Sequence, residues 1–188
     1  KNVIIIFSEY FPLFISISLV LIFLITQSGD IGYYSFGQVI NQGLVLFLKK
    51  TIKMERPKGA VRSGYGCPSG HSSYVSYFIS LFLLFLIYDV YPENYSKKHC
   101  ELVLIVFVIC SIFVFCGRII SFSHSLFQIF FAIIQGSLFA ILWFQFGKIY
   151  FIQQLVKLVR KIVFFKLVNS SAVDSSLDIE ETVESMDD

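Results

Sequence analysis

The sequence predicts an all-α, polytopic membrane bundle of about five transmembrane helices, followed by an amphipathic helix near its C-terminal end. Three observations carry that prediction. Of the 188 residues, 56% are hydrophobic and only 15% charged, and the mean hydropathy of +0.75 is too high for a soluble domain of this size. Apolar runs recur at close to the roughly 20 residues needed to cross the hydrocarbon layer of a bilayer. The polar residues inside those runs are mostly amides rather than charges, which suits a bundle interior.

Each element follows in order. Residues 10–26, extended by the apolar stretch 3–7, form the first span. The run is too long for a signal-peptide core and no small-residue cleavage site follows it, so it is expected to remain as a span. Because the chain opens on Lys1, an initiator or short leader is expected ahead of it. The second span, 31–48, carries Gln38, Asn41 and Gln42, which should face other helices rather than lipid. Residues 74–90 and 102–116 are uninterrupted spans, and 126–146 is a fifth with Gln128 and Gln135 on its inner face. Trp143 and several tyrosines near span ends suit an interfacial aromatic belt. From 148 to 168 basic residues are spaced among apolar ones, the pattern of a helix lying on a membrane surface. The stretch 169–188 is Ser-rich and acidic and is expected to be disordered. The organisation is therefore a membrane domain at 1–147, a surface helix and a tail.

Composition also excludes several classes. The formal net charge is only +2, with acidic residues crowded into the tail, and no basic face for nucleic acid is visible. Cys67, Cys100, Cys110 and Cys116 show no C-x-x-C spacing, so neither a zinc site nor a disulfide framework is expected.

Five crossings place the segment 49–73 and the connection 118–125 on one side, and 91–101 on the other. Three groups of reactive residues fall on the first side. In "KKTIKMERP", Lys49 and Arg56 are seven residues apart, about two turns, so a continuous helix would put both cations on one face. They read either as a juxtamembrane cluster reaching for lipid head groups or as a grip on phosphate. In "PSGHS", Ser69 is placed to cap the third span, and the amides of Gly70 and His71 then make an anion site at a helix N-terminus. Ser69 is either a cap alone or a phosphate contact, and His71 either an interfacial ring or a general acid. In "CGRIISFSHSLFQ", Arg118 ends the fourth span, His124 follows six residues later, and Gln128 comes one helical turn beyond it. The pair is either interfacial decoration or part of a nucleophilic site, in which Gln128 accepts a hydrogen bond from the ring nitrogen of His124 that does not attack. His99, among Lys97, Lys98 and Cys100 on the opposite side, reads as a solvated loop residue.

Taken together, Lys49-x6-Arg56-Pro57, Pro68-Ser69-Gly70-His71 and Arg118-x5-His124 resemble, in that order, the three signatures of the type 2 phosphatidic acid phosphatase (PAP2) superfamily. "GQVINQ", "RSGYGCPSGHS" and the Gln at position 128 are similar to its dolichyldiphosphatase branch. The resemblance covers roughly residues 37–128. It implies a PAP2/chloroperoxidase-like helical core in which Lys49, Arg56, Ser69, Gly70 and Arg118 bind the substrate phosphate. It further implies that His71 protonates the leaving oxygen and that His124 forms a phosphohistidine hydrolysed by water, with no metal and no cofactor. Two departures stand out: Gly117 occupies a position where the superfamily pattern has Ser, and Gln128 one where it has Asp.

The implied substrate is a polyprenyl (dolichyl) diphosphate lipid, converted to the monophosphate for reuse in protein N-glycosylation. A broad-specificity lipid phosphate phosphatase and a catalytically silent lipid-phosphate binder remain as alternative readings. If the phosphate-binding cations are set aside, the basic stretch 148–166 favours a cytosolic C-terminus. The site would then face the lumen of the endoplasmic reticulum.

Overall fold

The structure, a computed structural model, describes residues 2–60, 63–91 and 95–147 together with Leu158, Lys161 and Phe164. Among these residues five helices follow in chain order: α1 (Val3–Thr26), α2 (Gly29–Ile52), α3 (Gly70–Tyr88), α4 (Lys97–Ile120) and α5 (Leu126–Gly147). Among the described residues no strand accompanies them, and one isolated antiparallel bridge pairs Glu55 with Tyr65. Most of the expected surface helix at 148–168, and all of the tail at 169–188, lie outside the described residues; Leu158, Lys161 and Phe164 are helical and exposed.

The helix ends have local causes. The Asn2 side chain accepts a hydrogen bond from the Ile4 amide and starts α1. Asp30 lies in the first turn of α2, and Lys49 and Lys50 lie in its last, which complements the helix dipole at both ends. Residues Gln27, Lys53 and Asp89 stop their helices in the left-handed conformation. Ser96 and His99 form a reciprocal capping box at the start of α4. His99 is thus a capping residue of α4 rather than part of a loop, although it is exposed as expected.

Four helices, α1, α3, α4 and α5, are long and apolar enough to cross a membrane. The fifth, α2, is as long as α1 but more polar on average. Its polarity faces inward: Gln38 and Asn41 are buried, while Phe36, Val39, Leu46 and Phe47 are exposed on the outside. A soluble helix would reverse this pattern, so α2 is built for an apolar surround.

Helix α3 is the most enclosed of the spanning helices and organises the others. Phe78 packs against Phe107 of α4, and Phe85 against Phe144 of α5. Gly136 lets α5 close on α3; a Cβ there would lie 2.5 Å from the Ser73 carbonyl oxygen. A buried network ties three helices together. Asn41 donates to Gln38 and to Ser73, Ser73 donates to Gln135, and Gln135 returns a bond of 2.8 Å to Asn41. Amides within hydrocarbon need such partners, so the network fixes the rotation of α2 and α5 against α3. Trp143 is half-buried and stacks on Tyr33 with ring centroids 5.0 Å apart, its indole donating to the Tyr33 carbonyl. It clasps α2 to α5 as well as standing near a span end.

Candidate active site

One end of the bundle holds a cavity of about 310 Å³. Lys49, Arg56, Gly70, His71, Arg118 and His124, drawn from all three sequence motifs, line it. The structure thus brings together six of the eight residues singled out in the sequence.

Their routes to the cavity differ from the sequence expectation in one respect. Helix α2 stops at Ile52, so Lys49 and Arg56 do not share a helical face. Lys49 arrives on the last turn of α2 and Arg56 on the loop beyond it. That loop folds back on itself: the Gly66 amide donates to the Met54 carbonyl at 2.7 Å, and Glu55 pairs with Tyr65. Gly59 and Gly64 adopt positive φ angles of 92°, a conformation that suits glycine. The Cys67–Pro68 peptide is cis and leads into α3.

Ser69 is the N-cap residue of α3, as expected, but its hydroxyl makes no capping bond to the helix amides. It accepts instead from Ser72 at 3.0 Å, and its amide donates to the Gln128 carbonyl. Fully buried, it lies outside the cavity lining. His71 projects from the first turn of α3 and donates through Nε2 to the Glu9 carbonyl of α1 at 3.2 Å.

His124 sits in the tight connection between α4 and α5. The Arg118 carbonyl accepts from the amides of both Ser123 and His124, folding this connection against the end of α4. His124 Nδ1 is 2.8 Å from the Gly66 carbonyl oxygen and 3.3 Å from Gln128 Oε1. Both neighbours are acceptors, so the proton resides on Nδ1 and the lone pair on Nε2. Arg56 Nη1 donates to that Nε2 at 3.2 Å and to the Ser123 carbonyl at 2.7 Å. Burial is the largest cause holding the His124 pKa down at about 3, followed by the charges of Arg56, Arg118 and Lys49. The imidazole is therefore neutral at physiological pH.

Gln128 is also outside the cavity lining and works behind the ring. Its Oε1 accepts from the Ser125 amide, and its Nε2 donates to the Glu55 carbonyl at 2.7 Å. The sequence reading identified Gln128 as the orienting group but missed the shorter contact from Gly66. The glycine itself was a signal of close backbone approach: a Cβ at position 66 would lie 2.6 Å from Gln128 Oε1. Cys67 is buried beside the site, and burial pushes its thiol pKa up against the opposing charge of Lys49. It is held as an unreactive thiol.

The departure at Gly117 has a packing cause. A Cβ there would lie 2.4 Å from both Cβ and Oγ of Ser8 and 2.8 Å from the Ile4 carbonyl oxygen. Helix α1 passes too close to α4 for a side chain at this position.

A neutral imidazole whose Nε2 lone pair accepts from Arg56 beside two further cations and a helix end can bind an anion and, once Arg56 turns to that anion, attack it. The chain is similar to known phosphatases. The model of the PAP2 superfamily matches residues 30–150. Dolichyldiphosphatase 1 of Mus musculus is 27% identical over 144 residues, covering 71% of this chain and 59% of the mouse protein. Dolichyldiphosphatase 1 of Homo sapiens is 25% identical over 191 residues, covering 92% and 76% of the two chains. Lipid phosphate phosphatase epsilon 1, chloroplastic, of Arabidopsis thaliana is 29% identical over 123 residues, covering 65% and 43%. No solved structure matches the chain.

Proposed function

The chain belongs to the PAP2 superfamily, and from that premise we propose that it is a membrane enzyme hydrolysing dolichyl diphosphate to dolichyl phosphate and inorganic phosphate. The observation that carries this reading is the hydrogen bond from His124 Nδ1 to the Gly66 carbonyl, which leaves Nε2 as a nucleophile inside a cationic cavity. Lys49, Arg56 and Arg118, with the amide of Gly70, hold the terminal phosphate and neutralise charge on its oxygens, while Ser69 supports the start of α3 behind them. His124 Nε2 attacks the terminal phosphorus, the bond from phosphorus to the bridging oxygen breaks, and His71 delivers a proton to that oxygen. Water then attacks the phosphohistidine and gives its proton to His71. Inorganic phosphate departs, and His124 is restored to its neutral form.

Gln128 acts as a positioning residue through its contacts with His124, Ser125 and Glu55. The catalytic unit is residues 1–147. Its mouth faces the lumen of the endoplasmic reticulum, where it returns the lipid carrier for protein N-glycosylation.

Phosphate release from dolichyl diphosphate by the purified protein, with EDTA present and His124→Ala in parallel, tests the reading. Release that vanishes in the variant and leaves dolichyl phosphate supports it; release that survives the substitution overturns the nucleophile. A second reading, a broader lipid phosphate phosphatase, is favoured by the similarity to the Arabidopsis thaliana protein of that name. Comparable rates on monophosphate and diphosphate lipids would select it.

A further inference from the structure

One amide in the cavity wall has no part in the steps above. Gln42 lines the cavity together with Lys49, from the same helix. The two are seven residues apart, and Val45 and Leu46 between them also line it, so the four form one stripe along a face of α2. Seven helical residues rise about 10 Å. Lys49 therefore stands in the last turn of α2, beside the loop that carries Arg56, and Gln42 stands two turns deeper in the bundle.

Gln42 differs from the neighbouring amide on α2 in how it is satisfied. Asn41 is fully buried and bonds to Gln38, Ser73 and Gln135. Gln42 is half-buried, and its Nε2 lies 3.5 Å from the Gly70 carbonyl oxygen, the outer limit of a hydrogen bond. A polar side chain within a membrane span is costly unless it is bonded, and one that faces a cavity marks the path of a polar ligand. A donor held so loosely can turn to an anion with little loss.

Its position fits one part of a diphosphate. His124, with Arg56 on its Nε2, marks where the terminal phosphorus is attacked. His71, in the first turn of α3, marks the side of the leaving oxygen. Gln42 reaches that same turn from α2: its Oε1 would lie 3.4 Å from a Cβ on Gly70. With the terminal phosphate facing His124, the second phosphate of a diphosphate meets this amide, whereas a monophosphate ester places carbon there. As the bond to the bridging oxygen breaks, negative charge passes to the departing phosphate, and a donor already aimed at it stabilises that charge. A neutral amide suits the task, because a further cation would hold the departing monophosphate more tightly.

We propose that Gln42 selects diphosphates: its amide donates to an oxygen of the phosphate that leaves with the lipid, beside His71. The inference rests on the reading of the cavity as a site of diphosphate hydrolysis.

Two experiments on the full chain in detergent test this. Both use Gln42→Leu, which removes the donor at similar volume, and Gln42→Met, whose unbranched side chain is the closer match in length. The first compares kcat/KM on a prenyl diphosphate with kcat/KM on the corresponding monophosphate. Loss of a hydrogen bond to a charged group should lower that ratio about tenfold. Equal losses on the two substrates, as expected of a residue that merely supports the start of α3, overturn the proposal. The second needs no turnover and decides the matter where either lipid is inert: methylenediphosphonate and inorganic phosphate are each titrated against thermal unfolding. The substitutions should weaken binding of the diphosphonate about tenfold more than that of phosphate, and parallel weakening overturns the proposal. Absence of phosphate release from the diphosphate by the unsubstituted protein would refute the hydrolysis reading instead, while the titrations still decide the role of Gln42.

Discussion

His124 Nδ1 and the Gly66 carbonyl oxygen are 2.8 Å apart, linking the connection after α4 to the loop before α3. A carbonyl can only accept, so this single contact assigns the tautomer of the ring and directs Nε2 into the cavity. It also adds a backbone partner to an orientation that the family pattern assigns to a side chain. The carbonyl comes from the chain itself and cannot be removed by substitution, but the space that lets it approach can be filled.

Gly66→Ala should lower kcat by about 100-fold with a smaller change in KM. The new methyl group would overlap the Gln128 amide, whose nearest atom stands 2.6 Å from the Cβ position. Displacing Gln128 shifts His124, and a misplacement near 1 Å costs about that factor. Steady-state kinetics alongside thermal unfolding in detergent checks this. Unaltered kcat in a folded variant would remove Gly66 and Gln128 from the orientation of the nucleophile.

Much of this site is legible in the sequence, because Lys49, Arg56, His71, Arg118 and His124 carry their chemistry in their side chains. Gly66 and Glu55 contribute carbonyl groups, which every residue possesses, so no residue type announces them. The convergence of Lys49 and Arg56 comes from a folded-back loop, and helical periodicity has no access to it. Among the helices, α3 begins at Gly70, as the expected Ser69 cap implies, four residues ahead of the apolar run at Tyr74, and its Ser72 and Ser73 are buried in the bundle. Hydropathy alone ends a span at such residues. Helix α4 begins at Lys97 through its capping box, a local hydrogen-bonding feature ahead of the apolar run.

Gln128→Glu should exchange orientation for charge. The Gln128 amide donates to the Glu55 carbonyl at 2.7 Å, which a carboxylate cannot do, so two acceptors would face each other in a buried place. A stability loss of about 1–3 kcal/mol is expected. The new negative charge beside the ring would raise the His124 pKa. Denaturation in detergent and NMR titration of the ring provide independent readouts. A variant as stable as the parent would show that the Glu55 contact contributes nothing.

The ring of His124 should remain neutral far below the usual histidine range. Its pKa is held at about 3 by burial first and by Arg56, Arg118 and Lys49 next. The folded value lies below the unfolded value of about 6.5. The associated stability is therefore fully present above pH 6.5 and is lost as the pH falls from there towards 3. Arg56→Gln, which removes the largest of the charge contributions, should move the titration upward. NMR of the labelled imidazole between pH 3 and 8 follows both. An inflection of His124 near 6.5 in the unsubstituted protein would contradict the electrostatic picture.

Gly117→Ser would restore the residue type of the superfamily pattern and should destabilise this protein. The added Cβ would meet Ser8 at 2.4 Å and the Ile4 carbonyl at 2.8 Å, forcing α1 away from α4. Overpacking of this kind costs about 1–3 kcal/mol. Ser8→Ala would leave the clashing Cβ in place, whereas Ser8→Gly removes it. In a double-mutant cycle, Ser8→Gly should therefore recover part of the loss from Gly117→Ser, and Ser8→Ala should recover less. Thermal unfolding of the single and double variants measures the coupling. Strict additivity of Ser8→Gly with Gly117→Ser would mean that α1 does not set the limit at this position, and that the departure from the superfamily pattern has another cause.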